Sequence, residues 1–198
     1  MARIGKGGVI AAGAMAIAAG AIGYRLYDDR PAEVSAQQPA DPIAALESDA
    51  RTSPGDSGAW QRLGLAYFDA GRFAEAAEAY AKAAAAAPKS AALWSSLGEA
   101  LVMASARDPM PPRAREAFAR AIALDAKDSR ARYFLAVAKD LAGDHRGAIA
   151  AWLALLADTP PGAPWEADLV RTIEQVGKIN RIEVASRIAA ANANRPGA

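Results

Sequence analysis

The chain has no cysteine and only one histidine among its 198 residues. Without cysteine there is no disulfide framework, no thiol redox pair, no haem-attachment motif and no lipid anchor on a cysteine. Stretches rich in Val, Ile and Thr, which strands favour, are missing as well. So is an excess of charge: the formal net charge is +1, which gives no reason to expect a nucleic-acid partner. Four of the 23 basic and two of the 22 acidic side chains fall in the first thirty residues, leaving 19 and 20 in a nearly neutral remainder. No carboxylate pair, Ser-His-Asp set or metal-ligand spacing stands out. The reading is therefore a non-enzyme, with no catalytic residue, no metal and no cofactor.

What is present is alanine, which favours helix and lets helices approach closely. An all-α chain is expected. Between Lys6 and Arg25 lie 18 uncharged residues, 7–24. As a helix they would rise about 27 Å, close to the thickness of a bilayer core. Tyr24 and Tyr27 stand where interfacial aromatics are expected. The alternative is a cleaved signal peptide, with Ala19-Gly20-Ala21 as one of several small-residue sites. The uncharged run exceeds the usual signal core, which favours an uncleaved anchor. Arg3 and Lys6 before it predict a cytoplasmic start and a far side outside the cytoplasm. Residues 1–30 are thus read as a transmembrane anchor with its flanks. Residues 31–42, rich in Pro, Ala, Gln and Ser, are read as a flexible linker.

The rest of the chain repeats. Trp60, Leu63, Gly64 and Tyr67 fit W-x2-L-G-x2-Y, followed by Gly71, Ala76, Tyr80, Ala83 and Pro88. At every signature position this resembles the tetratricopeptide repeat. Trp94, Leu97 and Gly98 return 34 residues later, but Ala114, Phe118, Ala121 and Ala126 arrive after 38, so four residues are inserted near 106–112. Leu135, Ala136, Gly143, Ala148, Trp152, Leu155 and Pro160 make a third copy. Small residues let the helices of a pair close up, and Trp60, Tyr67, Tyr80, Trp94, Phe118 and Trp152 fill the spaces between pairs. The expected architecture is a solenoid of three repeats over 57–160. A half-repeat helix within 43–56 precedes it, with Asp41-Pro42 as its start. Capping helices near 165–175 and 179–191 and a frayed tail occupy 161–198.

In such stacks the first helix of each pair lines the concave face. The candidate peptide-binding groove comprises Gln61, Leu65, Phe68, Ser95, Glu99, Val102, Met103, Arg130, Tyr133, Phe134 and Val137. As a set they are apolar with a sparse polar rim, which suits the apolar face of an amphipathic helix. Some tetratricopeptide-repeat proteins grip a terminal carboxylate with Lys and Asn; here Gln61 and Leu65 occupy the corresponding places, so that clamp is not expected. His145, at the start of the second helix of the third repeat, is read as a surface residue.

The half-repeat, the inserted second repeat running into 112–125, Ala148-Ile149-Ala150-Ala151-Trp152-Leu153-Ala154-Leu155-Leu156, and Pro160 followed by Ala163-Pro164-Trp165 carry a narrower resemblance. Over about 42–175 the chain resembles the C-terminal periplasmic domain of the haem-lyase-associated apocytochrome chaperones of bacterial cytochrome c biogenesis. That resemblance implies a scaffold anchored by a single pass in the bacterial inner membrane, with the repeats in the periplasm. It would hold the C-terminal helix of apocytochrome c and meet the haem-lyase membrane subunits. Many members carry two membrane segments where this chain is read as having one, so no role of that module is carried over. The alternative is a general repeat scaffold for envelope or pilus assembly.

Overall fold

The computed structural model of the protein describes residues 42–195. The expected anchor, the linker up to residue 41 and the last three residues lie outside them. Among the described residues there is no strand and no helix long and apolar enough to cross a membrane. Within residues 42–195 nine helices follow one another: α1 (Pro42–Thr52), α2 (Ser57–Asp69), α3 (Phe73–Ala86), α4 (Ala91–Ala104), α5 (Pro112–Leu124), α6 (Ser129–Leu141), α7 (His145–Ala157), α8 (Glu166–Asn180) and α9 (Ala185–Ala193). Helices α2/α3, α4/α5 and α6/α7 form three pairs, with α1 packed on α2 in front and α8 on α7 behind.

Local chemistry sets the boundaries. Asp56, Asp128 and Asp144 cap α2, α6 and α7 by accepting the backbone N–H of Gly58, Ala131 and Gly147. Such a cap contributes about 1 kcal/mol by satisfying a donor that the helix leaves open. Pro112 opens α5, where its missing N–H costs nothing. The turns inside the first and third pairs span 70–72 and 142–144, whereas the second spans 105–111. The inserted residues therefore form a loop. Its Met110 tucks into the core, and its backbone N–H donates to Asp108 Oδ1 at 2.9 Å.

Close approach explains the small signature residues. A Cβ at Gly98 would sit 2.5 Å from the Phe118 ring, and one at Gly64 would sit 2.9 Å from the Tyr80 ring. Each ring occupies the space a side chain would need, and alanine there would force the pair apart. Trp60 and Trp94 use their indole N–H alike, donating at 3.0 Å to the carbonyls of Pro54 and Pro88 and so tying each repeat to the turn before it. The third repeat departs from this. Arg132 stands where the tryptophan would, and its guanidinium reaches Asp158 at 2.8 Å across the end of α7.

Two apolar clusters result. The front one contains Trp60, Leu63, Tyr67, Tyr80, Leu93 and Leu97. The rear one is built around Phe118, Phe134, Ile149, Trp152, Leu155, Leu156, Leu169 and Ile173. Trp94 and Leu101 touch both. Trp94 is only half-buried, unlike the other signature aromatics.

The rear cap differs from the sequence expectation. Helix α8 does not stop near Gln175 but continues through Gly177 to Asn180. Gly177 stays helical because the returning chain crosses it, placing Ile182 O and Val184 about 2.9 Å from where a Cβ would be. Arg181 then ends the helix at φ 56°, with the Ile182 N–H donating back to Gly177 O at 2.8 Å. Helix α9 lies on α7 rather than completing a fourth pair with α8. Beyond it Arg195 is buried and pairs with Glu166 at 2.6 Å, so residues 192–195 are anchored rather than frayed.

Candidate peptide-binding groove

The first helices of the three pairs, α2, α4 and α6, carry every residue of the expected groove. Helices α4 and α6 touch directly. The structure divides the set into three. Gln61 and Leu65 are exposed, Leu65 at 42%, while Phe68, Val102 and Met103 are half-buried. Phe68 meets the Phe73 ring edge-on at 5.1 Å. Apart from the polar Gln61, these are apolar side chains that still have surface to give.

Ser95, Phe134 and Val137 belong to the packing instead. Ser95 Oγ bonds Asp128 Oδ2 at 3.0 Å, linking α4 to the cap of α6. Phe134 stacks on Phe118 with centroids 4.9 Å apart and planes within 9°. One step of helical phase separates Phe134 from Tyr133, and that step turns its ring inward. Tyr133 is half-buried; its hydroxyl meets Thr172 Oγ1 of α8 at 3.3 Å, and burial raises its phenol above the ordinary value.

Glu99 and Arg130 form the polar centre. The Arg130 Nε lies 2.8 Å from Glu99 Oε2, and its Nη1 donates to Ser96 Oγ at 2.7 Å. Burial pushes the Glu99 carboxyl above the ordinary value of 4.5, and the nearby Arg130 pulls it back in part. Folded Glu99 therefore holds its proton more tightly than unfolded Glu99. Stability should fall as pH rises from about 4.5 through the raised value and then level off. Glu99→Gln is expected to flatten that part of a pH series of urea unfolding curves. An unchanged slope would assign it to other groups.

One groove candidate escaped the sequence reading. Leu141, 44% exposed, ends α6 and stands 38 residues after Met103, the spacing set by the insertion. Applying that shifted period to the last turn of each first helix would have found it.

Other sites are poorer. A cleft of about 180 Å³ between α1, α2 and α3 is lined by Glu47, Arg51, Trp60, Tyr67, Glu78 and Lys82, among others. It is small for a small-molecule pocket. Its charges are also partly matched: Tyr67 donates to Glu47 at 2.5 Å and Lys82 lies 4.2 Å above Trp60. His145 Nδ1 lies 2.6 Å from Asp140, stapling the α6–α7 turn. Among the described residues no group of His, Asp and Glu could hold a metal ion.

Known proteins resemble this chain in two ways. Two solved structures of MamA superpose with TM-scores of 0.57 and 0.58 over 77% of this chain, covering 83% and 80% of theirs, at 22% and 24% identity. They share the fold. The cytochrome c-type biogenesis proteins CycH of Bradyrhizobium diazoefficiens and Rhizobium meliloti are each 33% identical, over 135 and 142 residues. Each match covers 68% of this chain, but only 36% and 37% of the relative, so the chain spans little more than a third of their length. Residues 14–165 match the model of the Cytochrome c-type biogenesis protein H TPR domain, and the chain belongs to that family.

Proposed function

We propose that the protein acts in c-type cytochrome maturation as a non-catalytic holder of apocytochrome c, taking the C-terminal helix of the unfolded cytochrome along α2, α4 and α6. Family membership carries this reading. The line of Leu65, Phe68, Val102, Met103 and Leu141 supports it, because an amphipathic helix could cover these side chains with its own apolar face. Haem-lyase membrane subunits are the partners to which the client would be presented.

Calorimetric titration with apo- and haem-loaded cytochrome tests the proposal. The apo form should bind through the burial of side chains spaced i, i+3, i+4 and i+7. The loaded form should bind much less well, because its C-terminal helix is already packed in its own core. Equal affinity for both, or none for either, would remove the chaperone role and leave a general scaffold.

The location is part of the same proposal: residues 1–30 span the inner membrane and the repeats face the periplasm. A reporter that works only after export, fused after Ala198, should be active. Activity of a cytoplasm-only reporter at that position would reverse the orientation.

A further inference from the structure

Arg130 is an unusual residue for its place. It lies in the first turn of α6, where the helix dipole disfavours a cation. Its side chain leaves α6 and reaches back across the repeat boundary to α4. There Nε is fixed on Glu99 and Nη1 on Ser96. These contacts use Nε and Nη1, and the side chain keeps 41% exposure. With Nε and Nη1 both engaged, the guanidinium is held in place and Nη2 is the nitrogen left to give a carboxylate one charge-assisted hydrogen bond. Val102 and Met103 lie one to two helical turns beyond Ser96 and Glu99 on the same helix, so the anchored guanidinium and the apolar side chains share α4 as a platform.

We infer that Arg130 reads a carboxylate on the bound helix, and that the preferred ligand carries an acidic group one or two turns from its apolar anchors. The inference rests on the proposed binding of a client helix. It is a single-point contact supplied by the third repeat and oriented by the second. The carboxylate comes from an Asp or Glu side chain or from the client's C-terminus.

The test uses the full chain and synthetic peptides of an apocytochrome C-terminal helix. One peptide is unmodified, one has its acidic side chains changed to amides, and one has an amidated C-terminus. The unmodified peptide should bind about tenfold more tightly than the one lacking the responsible carboxylate. Which modified peptide shows the loss identifies the source. Arg130→Gln alone would strand the buried Glu99, so the comparison protein is the double variant Arg130→Gln with Glu99→Gln. It should bind all three peptides alike, and circular dichroism should show the same helix content. The tenfold difference should also shrink in high salt, whereas the apolar part of binding should persist. Equal binding of all three peptides by the unaltered chain would overturn the role of Arg130 and leave the groove reading standing. Persistence of the difference in the double variant would also overturn it. Failure of every peptide to bind would overturn both.

Discussion

Replacing Trp152 by alanine is expected to cost about 3–5 kcal/mol of folding free energy. The ring is 1% exposed in the rear cluster, between Tyr133 of α6 and the helices that cap the array. Its neighbours Ala136 and Ala148 are too small to move into the space it would leave. Truncation would also strip the Tyr133 carbonyl of the indole N–H that donates to it at 3.2 Å. Trp94 provides the control. It is half-buried between the clusters, so Trp94→Ala should cost clearly less, on the order of 1–2 kcal/mol. Urea titrations followed by far-ultraviolet circular dichroism read both without relying on tryptophan fluorescence. A loss at Trp152 no greater than that at Trp94 would show that the rear cluster does not depend on this ring.

The second large effect separates folding from binding at two of the expected groove positions, Phe134 on α6 and Val102 on α4. Phe134→Asp should unfold the rear repeats. It would place a carboxylate in a site 5% exposed, where the Phe134 ring stacks on Phe118. The cost of a buried unpaired charge is several kcal/mol, comparable to the whole stability of a domain this size. Val102→Asp should behave differently. Val102 is half-buried on α4, so its carboxylate can stay hydrated while it spoils the apolar line. The expected result is a folded protein with weakened client binding. A Phe134→Asp variant with normal thermal unfolding would place that ring outside the core. A Val102→Asp variant with undiminished client affinity would place the ligand elsewhere.

The fold was legible in the sequence because the repeat is a packing code. Trp60, Gly64, Tyr80 and their counterparts report which surfaces meet, and the 38-residue step located the loop that carries Met110. The groove was less legible. A helix turns 100° per residue, so Phe134 and Tyr133 differ by one position yet face different partners. Spacing alone also could not show that the Arg130 side chain would cross to α4. The rear cap was misread for another reason. Gly177 lies inside α8, where it provides clearance for Val184 folding back over the helix, a long-range contact that local spacing does not reveal.

The placement of the four extra residues has a consequence for the geometry of recognition. Inserted within a helix, they would advance everything after them by about 6 Å and rotate it by about 40°. Tyr133 and Val137 would then lose alignment with Ser95 and Glu99, as those align with Gln61 and Leu65. Confined to 105–111, the added length bulges out at a corner and the next helix resumes in phase. The second and third repeats thus keep one continuous reading frame along the surface a ligand would meet. Segment length can vary at that corner without shifting the frame, provided Met110 still reaches its seat in the core.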